Sequence, residues 1–182
     1  SKDYFVYYVD DPISGPEAKH RTMEAYRVEI SLDHEAITSA HYDGKKMVFQ
    51  FGKKSFKIAQ SDTTLKGTHN LINTMAAVSA AYLAKVPDSK IREGLKTFKN
   101  APHRLEPVGT IHGVEFINDS KATNVDSVIY ALGSDEKPLI WVAGGIDKGN
   151  DYNLIREEVE KKVKMLICLG KDNDKLKKFF GK

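Results

Sequence analysis

Cysteine and tryptophan occur once each in this chain, and neither sign of charge is in large excess. A single thiol, Cys168, excludes a disulfide framework within the chain, and its place in the apolar run Met165 to Leu169 reads as a core position. No apolar stretch approaches the length of a membrane span, and the first residues lack the charged-then-apolar order of a signal peptide, so a cytoplasmic setting is expected. The formal net charge is +3; up to Pro102 there are 15 Lys and Arg against 12 Asp and Glu, and beyond it 13 against 13. Neither part has the basic excess of a nucleic-acid binder, so no nucleic-acid or membrane partner is expected. The six histidines show no metal-ligand spacing, which with one cysteine argues against a zinc site. Gly-Lys-Ser/Thr and Gly-x-Gly-x-x-Gly are both missing, which excludes a Walker A loop and the dinucleotide fingerprint. Repeats and low-complexity tracts are also absent.

What remains is an ordinary globular composition, 41% hydrophobic and 29% charged over 182 residues, enough to bury one core or two small ones. Tyr4 to Val9 reads as a buried strand, residues 13–25 as a loop, and Tyr26 to Leu32 as a half-buried strand. Ala40 to Tyr42, Lys46 to Phe51 and Ser55 to Ala59 are short strands joined at the turn signals Asp43-Gly44 and Gly52-Lys53, so this segment is expected to be a β-meander. Gly67-Thr68-His69-Asn70 then leads into a helix to about Ala84, with Leu71, Met75, Val78 and Tyr82 on its buried stripe. Pro87 to Phe98 is a second helix, buried through Ile91, Leu95 and Phe98, and Asn100-Ala101-Pro102 reads as a linker. Two domains, 1–102 and 103–182, are expected. From His103 onward, strands at Val114 to Ile117, Leu139 to Ala143 and Met165 to Leu169 alternate with helices at Val125 to Leu132, Tyr152 to Val163 and Asn173 to Phe180, which predicts a three-stranded parallel sheet. The fold class is α/β.

Parallel sheets bind ligands where strand ends feed helix starts, and two loops here occupy that place. The first, Asn118 to Asn124, holds Lys121 just before a helix that Asn124 is suited to cap. A cation at that end opposes the helix dipole, which points to an anion between them, although a lone loop lysine is also ordinary surface. The second, Gly144-Gly145-Ile146-Asp147-Lys148-Gly149, brings another lysine towards the same crevice, a geometry suited to carboxylates or phosphates. Asn70 and Asn73 share one face of a helical turn, where two carboxamides can read a purine edge. His103-Arg104-Leu105-Glu106 offers an arginine beside the linker, in a setting where surface ion pairs are equally common.

Together, Gly67-Thr68-His69-Asn70-x-x-Asn73-x-x-Ala76-Ala77, His103-Arg104-x-Glu106, Asn118-Asp119-Ser120-Lys121-Ala122-Thr123-Asn124 and Gly144-Gly145-x-Asp147-Lys148-Gly149 resemble the Mur ligases of peptidoglycan synthesis, in order and over essentially the whole chain. The last two loops are similar to those of members that add D-glutamate; sister ligases carry Asp-Tyr-Ala-His in place of the first. The resemblance implies the later part of a central ATP-binding domain over 1–102, with the meander and its helices, and the first part of a Rossmann-like, amino-acid-binding domain over 103–182. It implies adenine contacts for Asn70 and Asn73, ribose and phosphate contacts for Arg104 and Asp119, a catalytic, phosphate-facing role for Lys121, and D-glutamate carboxylate contacts for Thr123 and Lys148. ATP, magnesium, D-glutamate and UDP-N-acetylmuramoyl-L-alanine are the implied ligands, and the implied chemistry runs through an acyl phosphate. The family's UDP-binding domain, P-loop, carbamylated lysine and magnesium ligands have no counterpart here. A truncated ligase is therefore expected, inactive alone and prone to self-association through open sheet edges. The competing readings are a self-contained, non-catalytic nucleotide-binding module and a folylpolyglutamate-synthetase-like ligase.

Overall fold

The computed structural model describes residues 3–34, 36–65, 67–133, 137–147 and 149–181. The chain divides into two compact units, Ser1–Lys99 and Asn100–Lys182.

The first unit is a five-stranded sheet in the order β1-β2-β3-β4-β5, formed by β1 (Tyr4–Tyr8), β2 (Tyr26–Ser31), β3 (Ala40–Tyr42), β4 (Lys46–Phe51) and β5 (Lys54–Ala59). The turns expected at Asp43-Gly44 and Gly52-Lys53 join β3 to β4 and β4 to β5, both antiparallel. The Asp43 carboxylate accepts the N–H groups of Lys45 and Lys46 at 3.1 and 2.8 Å, and Gly44 takes φ +86°, so the first turn is written locally. The meander does not extend to β2, which runs parallel to both β1 and β3. The return from β2 is held by Asp10, whose carboxylate accepts Ser31 Oγ at 2.8 Å and Leu32 N–H at 2.7 Å.

Residues 13–25 are not all loop: α1 (Ser14–His20) is the crossover between β1 and β2. Asp11 makes it possible, because its Oδ1 accepts Ser14 Oγ and N–H at 2.6 Å each and Ile13 N–H at 3.2 Å, bonds that also hold its carboxyl below the usual range. Pro16 lies in the first turn, where a missing N–H breaks no helical bond. Tyr4 to Val9 is less buried than its composition suggests: Tyr4 and Phe5 are exposed, as is Tyr26, the register partner of Tyr4 on β2.

α2 (Thr68–Leu83) and α3 (Asp88–Thr97) complete the unit. Leu71, Met75 and Val78 of α2 and Ile91 of α3 join Ile30, Met47, Phe49 and Ile58 of the sheet in one core, and Tyr82 stacks on Phe51 with centroids 4.6 Å apart. Phe98 departs from the expected stripe. It is 51% exposed because the backbone has already turned extended at that residue.

The second unit opens with an antiparallel hairpin of β6 (Glu106–Ile111) and β7 (Val114–Asn118), followed by α4 (Val125–Gly133), β8 (Leu139–Gly144), a 3-10 turn at Tyr152–Ile155, α5 (Arg156–Lys162), β9 (Val163–Leu169) and α6 (Asp174–Phe180). The hairpin corrects the expectation of three parallel strands: β7 pairs with β6, and among the described residues of this unit the parallel pair is β8 and β9. Its turn residues, His112 and Gly113, both have positive φ, the backbone that two-residue hairpin loops require. Val125 and Leu132 of α4, Tyr152, Ile155, Val159 and Leu176 form a second core, onto which Trp141, Ala143 and Cys168 pack from one face of the strand pair. Ile140, Val142, Met165 and Ile167 on the other face are exposed.

One charge lies inside this core. Lys162, 5% exposed, donates from Nζ to the Leu132 carbonyl at 2.9 Å and stands 3.3 Å from Glu158 Oε2, tying α5 to the carbonyl end of α4. Lys162→Met fills the space but strands a buried acceptor, and a loss of about 2 kcal/mol is expected. The check is the urea midpoint at unchanged slope; an unaltered midpoint would show that water takes over the ammonium's place.

Candidate functional site

In the first unit the expected purine-reading residues sit on the opening turn of α2. Gly67 is the N-cap, with φ +87° and ψ +158°, a conformation almost closed to residues with a side chain. Its carbonyl accepts the N–H groups of Asn70 and Leu71 at 3.1 and 3.3 Å and Gln60 Nε2 at 3.0 Å, which fixes where the helix starts. Asn70 is half-buried within the first turn, not at the cap, and Asn73 is exposed one turn on. Leu71, Thr74, Met75 and Val78 anchor the opposite face, so the two carboxamides are carried on a rigid support.

In the second unit, Arg104, Asp119, Lys121 and Thr123 belong to two segments bonded to each other. Asp119 Oδ1 accepts Leu105 N–H at 2.9 Å, Lys121 N–H donates to the His103 carbonyl at 3.0 Å, and the Asn118 amide donates to His103 Nδ1 at 2.8 Å. Glu106 Oε2 closes the turn by accepting His103 N–H at 2.8 Å. His103 and Leu105 both adopt positive φ, 65° and 44°, so Arg104 is displayed between two strained residues. Asp119 thus spends one oxygen on architecture, holding the arginine turn against the lysine loop. The side chains of Arg104 and Lys121 are exposed, with no hydrogen-bond or ion-pair partner among the described residues. Asn124 caps α4 through Oδ1, which accepts Ser127 N–H at 2.9 Å, and Thr123 is exposed just before it.

The second glycine loop leaves β8 at Gly144. Lys148 lies outside the described residues. Asp147 Oδ1 accepts Gly149 N–H at 2.9 Å and Asn150 N–H at 3.0 Å, an Asx-type turn, while Oδ2 pairs with Lys175 Nζ at 2.9 Å. Lys175 and these amides hold the Asp147 carboxyl below its usual range, and Asp147 in turn raises Lys175. Burial first, then the Asp147 charge, raises the Tyr152 phenol. β7 and β8 are not paired, so the two loops do not extend from neighbouring strands of one sheet as expected. His103, Asn118 and Lys175 escaped the sequence reading; the first two lie within the quoted motifs, whereas no local signal links Lys175 to Asp147.

Known proteins resemble this chain in sequence and in fold. Residues 103–179 match the Mur ligase, glutamate ligase domain. The UDP-N-acetylmuramoylalanine–D-glutamate ligase of Cytophaga hutchinsonii is 42% identical over 175 residues, 96% of this chain and 39% of that protein. The corresponding ligase of Bacteroides fragilis is 39% identical over 182 residues, 100% of this chain and 41% of its own length. The chain therefore spans about two fifths of the length of the curated relatives it matches. In fold it is similar to MurF from Acinetobacter baumannii, with a TM-score of 0.65 at 19% identity over 91% of this chain and 38% of that one. The chain thus shares the fold of MurF over most of its length, and its second unit matches the Mur ligase, glutamate ligase domain.

Proposed function

We propose that the full-length protein carrying this sequence joins D-glutamate to UDP-N-acetylmuramoyl-L-alanine at the expense of ATP, in the cytoplasm, as a step of peptidoglycan synthesis. The observation that carries this reading is the pair of cations Arg104 and Lys121, without side-chain partners among the described residues, on two segments tied together by the Leu105–Asp119 and Lys121–His103 bonds just before α4. Unpaired positive charge at a helix N-terminus is a site for anions, and phosphates supply them. Sequence likeness to ligases named for this reaction supports the choice of substrates.

The substrate carboxylate attacks the γ-phosphorus of ATP, forming a C–O–P bond as the bond to ADP breaks. The amine of D-glutamate then adds to the acyl carbonyl, its nitrogen gives up one proton to solvent, and phosphate leaves with the C–O electron pair as the amide forms. Lys121 offsets the charge on the transferring phosphoryl group, and Arg104 and Asp119 lie towards the ribose and phosphates. Asn70 and Asn73 read the adenine edge, and Thr123 with Lys148 takes the carboxylates of D-glutamate. Magnesium would neutralise phosphate charge in such a reaction, but no three His, Cys, Asp or Glu side chains converge for a metal among the described residues, so these residues are given no part in holding it.

The test is amide formation from the three substrates by the full-length protein, with the isolated 182 residues alongside; product is expected from the first and none from the second, which has no Gly-Lys-Ser/Thr loop. No product from the full-length protein would refute the reading. Asn73→Ala is expected to weaken ATP binding about fivefold to tenfold, the worth of one hydrogen bond, by calorimetric titration. Unchanged affinity would remove Asn73 from the adenine site.

A further inference from the structure

Lys175 stands in the first turn of α6, the end of a helix where a cation is unfavourable, and its bonds go to another loop. Its Nζ pairs with Asp147 Oδ2 at 2.9 Å, donates to the Asn150 carbonyl at 2.6 Å and lies 5.2 Å from the centre of the Tyr152 ring. The three partners follow β8 in order, so one side chain holds the loop after that strand at three points. Asp172, just before the N-cap of α6, accepts Asp147 N–H at 3.4 Å. The carboxylate that Lys175 grips also folds the loop, through the amides of Gly149 and Asn150.

We propose that Lys175 is a positioning residue for D-glutamate, acting through the Asp147 to Asn150 loop without touching the ligand. The inference rests on the function proposed above and uses only described residues on either side of Lys148. Two of its three N–H donors are spent on Asp147 and Asn150, and its charge lies beside the Tyr152 ring, so the ammonium is directed at the loop. Its contribution is to hold Asp147 and Asn150, and through Asp147 the Gly149 amide, in one arrangement before a ligand arrives, which lowers the ordering cost of binding. An arginine can keep the ion pair; a methionine keeps the aliphatic stem and loses all three polar contacts.

Two readouts on the full-length protein test this. In Lys175→Met, the amides of Gly149 and Asn150 should exchange with solvent about tenfold faster while those of Ile140 to Ala143 in β8 do not change, and KM for D-glutamate should rise about tenfold with kcat and the KM for ATP within about twofold. Lys175→Arg should restore both. Asp147→Asn, which keeps an acceptor for the turn but removes the charge, should reproduce the methionine result, and the two changes together should be no worse than either. Unaltered exchange in Lys175→Met would overturn the clamp. Faster exchange with an unaltered KM for D-glutamate would overturn the positioning role while leaving D-glutamate as substrate. If the wild-type protein makes no product with D-glutamate, the proposed function fails and the positioning role with it, whereas the exchange data still decide whether the clamp exists.

Discussion

Gly144→Ala is expected to unfold the second unit or bring it close to unfolding. A Cβ at this residue would lie 1.7 Å from the Leu169 carbonyl oxygen, 2.7 Å from its carbon and 3.0 Å from Asn173 Oδ1. Gly144 and Leu169 are register partners at the carboxyl ends of β8 and β9, so the obstruction is backbone of the neighbouring strand, and no side-chain rotation relieves it. The strands must separate where Gly145 and Gly170, with φ of 111° and 104°, already make tight departures. Overpacking ordinarily costs about 1–3 kcal/mol, and a clash with main chain belongs at or above the upper end. In a domain of this size that is a fall in Tm of roughly 12 °C or more. Calorimetry is the direct check; a fall of less than about 3 °C would mean that β8 and β9 are not in the register described.

Lys121→Ala is the change expected to affect turnover most, with kcat of the full-length protein falling about 10²- to 10³-fold, as when one preorganised stabilising group is removed. The side chain is exposed, and the Lys121 bond that holds the loop runs from its backbone N–H, which alanine retains. Stability should therefore stay within about 0.5 kcal/mol of wild type. Lost turnover at unchanged Tm separates a chemical role from a structural one, and Lys121→Arg should recover part of the rate by restoring charge without the same reach. A kcat within threefold of wild type would place the phosphates elsewhere, with Arg104 as the next cation to examine.

What could be read from the sequence was what neighbouring residues decide among themselves. The Asp43-Gly44 turn, the Leu71, Met75 and Val78 stripe and the Asn124 cap all depend on contacts within a few positions, and all stand in the structure. α1 escaped because Ser-Gly-Pro resembles a turn until Asp11 is seen to accept the N–H groups of Ile13 and Ser14 where the helix starts. β6 escaped because Pro107 and Gly109 interrupt its alternation, and the structure has a register irregularity at that place. Strand partnership was the least legible: nothing in Val114 to Ile117 says whether it pairs with the preceding strand or a later one, and that choice decides whether the two lysine loops belong to one sheet. The same limit hid Lys175, whose partner Asp147 is on a different element. Asp119 shows the opposite case, a residue singled out for ligand chemistry whose carboxylate also supports the arginine turn.

Trp141 is the chain's sole indole, and it packs on the second core with its ring centre 6.0 Å from that of Phe180, edge to face. α6, which carries Phe180, also carries Lys175. Intrinsic indole fluorescence is consequently a private optical channel: excited near its red edge, where tyrosine is silent, it reports the docking of this one helix and ignores the first unit. A shift in its emission maximum would register a change in how α6 packs on this core, in real time and with no label introduced.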